Sequence, residues 1–240
     1  MTDAPPRSDD PVDAFIDKWR ARWPEWQIAE VFVPAGQRLP ALAWGSLQQE
    51  LLDAAWGGSD PRPGDAKLAW WQEELNGWAG GARRHPLGAV LQRSAAPWRD
   101  LSAALPSLRA ARERPVDADE AAGSLRPVAL AMVRIDAALF AGTAVDPSAI
   151  DLALRQLQHH RVLVDAPTAV PLSVLAAVGE AGGAAEWSAR LLADWPVAPA
   201  AAVPRRVHAA IVRARLQRGA AARPLPAWAA LWSAWRVARN

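Results

Sequence analysis

The residues with the most chemistry in reach of one another lie in KLAWWQEELNGWAGGARRHPLGAVL, residues 67–91. Glu73 and Glu74 could serve as a general base or as ligands for a divalent cation, and Arg83, Arg84 and His85, just before Pro86, could hold a phosphate. Each has a structural alternative. Carboxylates on a helix are usually solvated, and a histidine before proline can fix the start of a helix. His159-His160 is the only histidine pair. Neighbouring helical positions diverge by about 100°, so the two rings make a poor metal site even with Asp151 or Asp165 nearby. No Gly-x-Ser-x-Gly elbow, Walker motif or dinucleotide fingerprint occurs. No resident metal or other cofactor is expected from these residues.

The elements that must position these groups read as helical. Beta-branched residues are sparse, alanine and leucine abundant, and no long run alternates with period two. Asp10-Pro11 opens a helix that Pro24 ends, residues 37–56 form a second, and Pro63-Gly64-Asp65 starts a third that closes at Gly80-Gly81. Further helices are expected from Pro86, from Trp98, over 117–140 with a kink at Pro127, and over 147–162. The rest cover 171–180, 184–193, 204–221 and 226–237. Leu68, Trp71, Leu75 and Trp78 fall on one helix face, as do Trp228, Leu231, Trp232 and Trp235, and both stripes read as core. The expectation is a single all-α domain over residues 11–240 with a loose segment at 1–10.

Composition narrows the classes. The 240 residues contain 14 tryptophans, three phenylalanines, no tyrosine and no cysteine, so disulfides and thiolate metal sites are excluded. The first residues lack an apolar signal region, and the longest apolar run, AVPLSVLAAVG, is about half a bilayer span. A cytoplasmic location is expected. The chain carries 25 arginines but only two lysines, Lys18 and Lys67. No acid follows Asp194, while eight arginines do. That basic end reads either as a solvated face balancing the acidic N-terminal segment, or as a contact for an anionic membrane surface, an acidic partner or a diphosphate. Nucleic acid is not expected, because the C-terminal tryptophans lie on a core-like stripe.

Leu68-Ala69-Trp70-Trp71-Gln72-Glu73-Glu74-Leu75, followed by the Gly80–Pro86 turn, resembles the Leu-x-Trp-Trp-Arg-x-x-Leu…Gly-Arg-x-x-His-Pro signature of the squalene/phytoene synthase family. FVPAGQRLPALAWGSLQQEL resembles the segment before it, with Glu50 matching a glutamate there, and PAWAALWSAWRVARN resembles the tryptophan-bearing last helix of bacterial members. The resemblance is sharpest over residues 30–90. It implies a helical bundle of the isoprenoid (terpenoid) synthase type, and for active members the head-to-head joining of two prenyl diphosphates. That reaction uses two Asp-x-x-x-Asp motifs, whose i, i+4 carboxylates hold Mg²⁺ against the leaving diphosphate.

This sequence departs from the pattern at four points. In register with Glu50, the first motif's aspartates fall on Leu52 and Trp56, leaving Asp53 one position off. In RQLQHHRVLVDAPTAVPL, Arg155 or Gln156 precedes Arg161, but Val162 stands where an aspartate is expected and Asp165 is the only acid nearby. Gln72 replaces the arginine after the paired tryptophans, and no tyrosine fills the family's aromatic positions. The resemblance therefore implies a degenerate member acting as a binding or assembly protein, for a protein partner or an apolar isoprenoid or lipid. Part of the same superfamily acts in respiratory complex I assembly. The retained cavity would be lined by Glu50, Asp53, Trp56, Trp70, Trp71, Arg155 and Arg161. The alternative is a divergent Mg²⁺-dependent prenyltransferase drawing on Glu50, Asp53, Asp136 or Asp165.

Overall fold

Three helices begin with aspartate followed by proline, and in each the aspartate side chain accepts a backbone N–H of the first turn: Asp10 from Val12, Asp60 from Arg62 and Asp146 from Ser148. The cap satisfies an orphan donor, and proline there lacks only an N–H that would be orphaned anyway. In this computed structural model residues 10–92, 94–140, 145–197, 199–219 and 221–239 are described, and all their regular structure is helical. The expected loose segment at 1–10 lies outside them except for Asp10.

Helix α1 (Pro11–Arg22) leads through the short α2 (Trp26–Ala29) and a 3₁₀ turn (Glu30–Phe32) into α3 (Ala35–Trp56). α4 (Pro61–Ala79), the one-turn α5 (Gly88–Leu91) and α6 (Trp98–Ala110) follow. The expected helix over 117–140 is two, α7 (Ala118–Gly123) and α8 (Arg126–Leu139). Pro127 does not kink it; it sits in the first turn of α8, where proline costs no hydrogen bond. α9 (Pro147–Val164) and α10 (Ala166–Ala169) precede α11 (Leu172–Ala193), which breaks at Gly179, φ 75° and ψ 169°. Only glycine adopts that conformation readily. α12 (Val203–Gln217) and α13 (Ala227–Ala238) complete the chain.

One apolar core runs from Val12 to Ala234, and a smaller one around Val174 and Trp187 sits under α10 and α11. Two glycines set the crossings that matter for the site. A Cβ on Gly45 would meet the Trp19 ring at 2.7 Å, so α1 lies directly against α3. A Cβ on Gly64 would come 2.1 Å from the carbonyl oxygen of Ala54, so the start of α4 touches the backbone of α3. These approaches bring Lys18 and Arg22 from one side, and Lys67 from the other, over the last turns of α3.

The two tryptophan stripes have opposite fates. Leu68, Trp71, Leu75 and Trp78 are buried, as expected. Trp228, Leu231 and Trp232 are not core: they are exposed, and Trp235 is half-buried. α13 instead packs through Ala229, Ala230 and Ala234. Alanines let two helices approach closely, so the helix turns its small residues inward and its largest outward.

Candidate functional site

Glu50 and Asp53 lie one turn apart near the end of α3, with Glu50 buried and Asp53 partly so. The Glu50 carboxylate accepts from both lysines of the chain. Lys18 of α1 bonds Oε1, and Lys67 of α4 bonds Oε2 at 2.5 Å. Arg22 donates to Asp53 Oδ1 at 2.6 Å, and His160 Nε2 of α9 is 3.7 Å from the same oxygen. Lys18 also lies 3.9 Å from Asp53 Oδ2. Burial alone would raise the Glu50 carboxyl, but the hydrogen bonds from Lys18 and Lys67 outweigh it and hold the group below its ordinary range. The same balance, with His160 and Arg22 as partners, lowers Asp53. Burial pushes the His160 imidazole down despite the carboxylate beside it.

Leu52 and Trp56 are both buried, and the Trp56 indole donates to the carbonyl of Leu108 at 3.2 Å. Beyond them a partly open cavity of about 60 Å³ lies between α1, α2, α3, α8, α9 and α12. Trp19, Trp23, Trp26 and Trp44 crowd it together with His159, His160 and His208. Its one acid, Asp136, is bonded by the Arg205 guanidinium and by the Trp44 indole at 2.8 Å. Arg205 also donates to Gln156 at 2.6 Å. Burial drives the His159 imidazole down to about 3, assisted by the charges of His160 and Arg215. His208 is pushed well below its usual value for the same reasons.

The basic turn after α4 is organised by Glu74. The expectation of solvated carboxylates holds for Glu73, but Glu74 is buried and accepts four hydrogen bonds. Its Oε1 takes the Arg84 and His85 backbone N–H groups, both at 2.7 Å, and the Trp78 indole at 2.8 Å. Its Oε2 takes the Arg84 guanidinium at 2.9 Å. Burial would raise this carboxyl, but those donors hold it at about 2. Arg84 stacks over Trp70 with its carbon 5.4 Å from the ring centre. The His85 ring packs 4.5 Å from both Phe15 and Trp71, and its Nδ1 accepts from the N–H of Leu87. Arg83 stays exposed. The turn is thus tied to its own helix, with the Arg84 charge already met by Glu74.

Arg155 and Arg161 do not join the Glu50–Asp53 cluster. Arg155 pairs with Gln158 at 3.0 Å and Asp194 at 3.5 Å. Arg161 is buried and donates to the carbonyls of Arg112, Glu113 and Thr168, which ties α9 to the loop after α6. Asp165 accepts from the Thr168 hydroxyl in that same region. Comparison with protein-family models, with curated proteins and with solved structures returns no match for this chain.

The fit to Mg²⁺ can be judged from the donors. Glu50 and Asp53 face three side-chain cations and a histidine, and among the described residues no three His, Asp or Glu groups gather as a metal set. A divalent ion would have to displace ammonium and guanidinium groups already within bonding distance. The residues do not fit it. Lys18 and Lys67 are the only two lysines of the chain, but their spacing from Glu50 fits no helical register and no local sequence signal pairs them with it.

Proposed function

We propose that this chain is a squalene/phytoene synthase-like protein of the isoprenoid-synthase type that has lost the metal and diphosphate chemistry and serves as a binding or assembly protein. The observation that carries the reading is the neutralisation of Glu50 and Asp53 by Lys18, Lys67 and Arg22. In a diphosphate-transferring centre those carboxylates would be available to metal. Here internal cations do the metal's electrostatic work. Supporting it, the central cavity of about 60 Å³ has room for a few waters, well short of a prenyl chain. A protein partner or an apolar lipid therefore meets the outside of the bundle.

The test is incubation of the purified protein with farnesyl or geranylgeranyl diphosphate and Mg²⁺, reading diphosphate release. The expected result is no release and no Mg²⁺-dependent rise in melting temperature with a diphosphate analogue. Turnover that disappears in Asp53→Asn would overturn the reading and establish the prenyltransferase alternative.

A further inference from the structure

α13 presents an apolar ridge that soluble helices normally hide. Trp228 is 68% exposed, Leu231 47% and Trp232 57%, at positions i, i+3 and i+4 on one face. Beside the ridge lies a groove of about 430 Å³ between α12, α13 and the segment before α12. Trp232 forms one wall, and Val197, 88% exposed, stands on the other. Three arginines, Arg206 and Arg213 from α12 and Arg236 from α13, line the same groove. None of the three forms an ion pair with a carboxylate among the described residues. Four other arginines of this region already have partners. Arg205 and Arg215 are buried in ion pairs with Asp136 and Glu25. Arg218 and Arg239 stack on Trp228 and Trp235 at 5.3 and 4.8 Å, placing cations at the edges of the ridge.

We infer that this face is a docking surface for an anionic lipid bilayer. The tryptophans and Leu231 enter the boundary between headgroups and acyl chains, while Arg206, Arg213 and Arg236 receive lipid phosphates in the groove. Three features select a membrane over other anionic partners. Exposed tryptophan flanked by arginine is the pattern that settles at a bilayer interface, where the indole has one apolar and one polar environment. Leu231 and Val197 extend the ridge with aliphatic surface, which lipid accommodates and a nucleic-acid base cannot stack on. Moreover, the Trp232 and Trp235 rings stack on each other, centres 4.9 Å apart, so one face of each is already covered. The surface lies apart from Glu50 and Asp53, so it stands whether or not that cluster is inert. No helix among the described residues is long and apolar enough to cross a membrane, so contact of this kind is peripheral.

The experiment is flotation of the full chain with phosphatidylcholine vesicles, with and without phosphatidylglycerol as about a third of the lipid. Binding is expected only with phosphatidylglycerol, weakening as salt rises to about 0.5 M. Trp228→Ala with Trp232→Ala should reduce binding at least about tenfold while leaving the circular dichroism unchanged, since both side chains are exposed. Replacing Arg206, Arg213 and Arg236 by glutamine should cost about fivefold each and flatten the salt dependence. Failure to bind phosphatidylglycerol vesicles at low salt would overturn the inference, as would equal binding to both vesicle types. So would full binding by the tryptophan variant, or tighter capture of a short oligonucleotide that the same substitutions abolish. The assay contains no prenyl diphosphate, so its outcome is separate from that of the turnover test.

Discussion

Lys67 reaches from α4 to Glu50 on α3, its Nζ 2.5 Å from Oε2, and Lys18 of α1 closes on the other oxygen of the same carboxylate. Three helices are therefore joined at one buried charge. The arrangement has the form of a metal clamp with ammonium groups in place of the ion. It ties α1 and α4 to the end of α3 at the point where Gly45 and Gly64 permit their close approach.

Removing both ammonium groups leaves Glu50 buried without its counter-charges. Lys18→Met with Lys67→Met should cost about 1–3 kcal/mol, less than for a fully buried pair because the lysine side chains are 50% and 41% exposed. The pH dependence fixes the sign. In the native chain the Glu50 carboxyl lies below 4.5, so its contribution is complete above that pH and is lost as pH falls through the lower native value. In the double variant burial acts unopposed and raises the group. The loss relative to wild type should then shrink as pH falls towards 4.5, and Glu50→Gln added to the variant should recover most of it at pH 7. Urea denaturation midpoints across pH measure this directly.

How much of this was legible follows from what periodicity reports. The spacing of Leu68, Trp71, Leu75 and Trp78 gave a true buried face, and Asp10-Pro11 and Asp146-Pro147 gave true helix starts, because these signals are local. The same spacing at Trp228, Leu231, Trp232 and Trp235 misled. Periodicity identifies a face but not the side on which the neighbouring helix packs, and Ala229, Ala230 and Ala234 suit a close crossing better. With the stripe outside, the sequence argument against a nucleic-acid partner lapses, and the choice rests instead on the aliphatic residues beside it. α4 starts at Asp60-Pro61 and not at Pro63, because two prolines compete for its first turn and only Asp60 supplies the cap. The burial of Glu74 has no signal in the sequence because its partners lie 10 and 11 residues ahead in an irregular turn, outside any helical register. The cations on Glu50 come from positions 32 residues before and 17 after it, separations that no local sequence pattern reports.

Acid should destabilise the bundle through its interior histidines. His159 titrates at about 3 in the folded chain against 6.5 when unfolded, and His160 and His208 are lowered as well. Between those limits the unfolded state takes up protons that the folded state refuses, so stability falls as pH drops from 6.5 towards 3. At pH 5 the cost is about 2 kcal/mol for His159. His159→Phe removes that titration while keeping an aromatic ring beside Trp23, whose centre lies 6.0 Å away. The variant's urea midpoint should therefore fall less than that of wild type between pH 7 and pH 5. An unchanged pH dependence would show that His159 is protonated in the folded protein.

The Arg215–Glu25 pair links the two ends of the chain and with them the exposed ridge. Both side chains are 1% exposed, and the guanidinium donates to Glu25 Oε1 at 2.8 Å and Oε2 at 2.6 Å while lying 4.2 Å over the Trp23 ring. Glu25 Oε1 also accepts the backbone N–H of Leu225 at 2.7 Å, two residues before α13 begins. Glu25→Leu would leave a guanidinium buried without its counter-charge, at a cost of about 3–5 kcal/mol. Arg215→Met in the same chain should recover much of the loss, because an apolar pair has no charge to desolvate. The Leu225 amide is the separate readout. It loses its acceptor in both variants, so its hydrogen exchange should stay fast in the double variant even where global stability returns. Protection restored along with stability would mean that packing of Ala229 and Ala230 alone holds α13 in place.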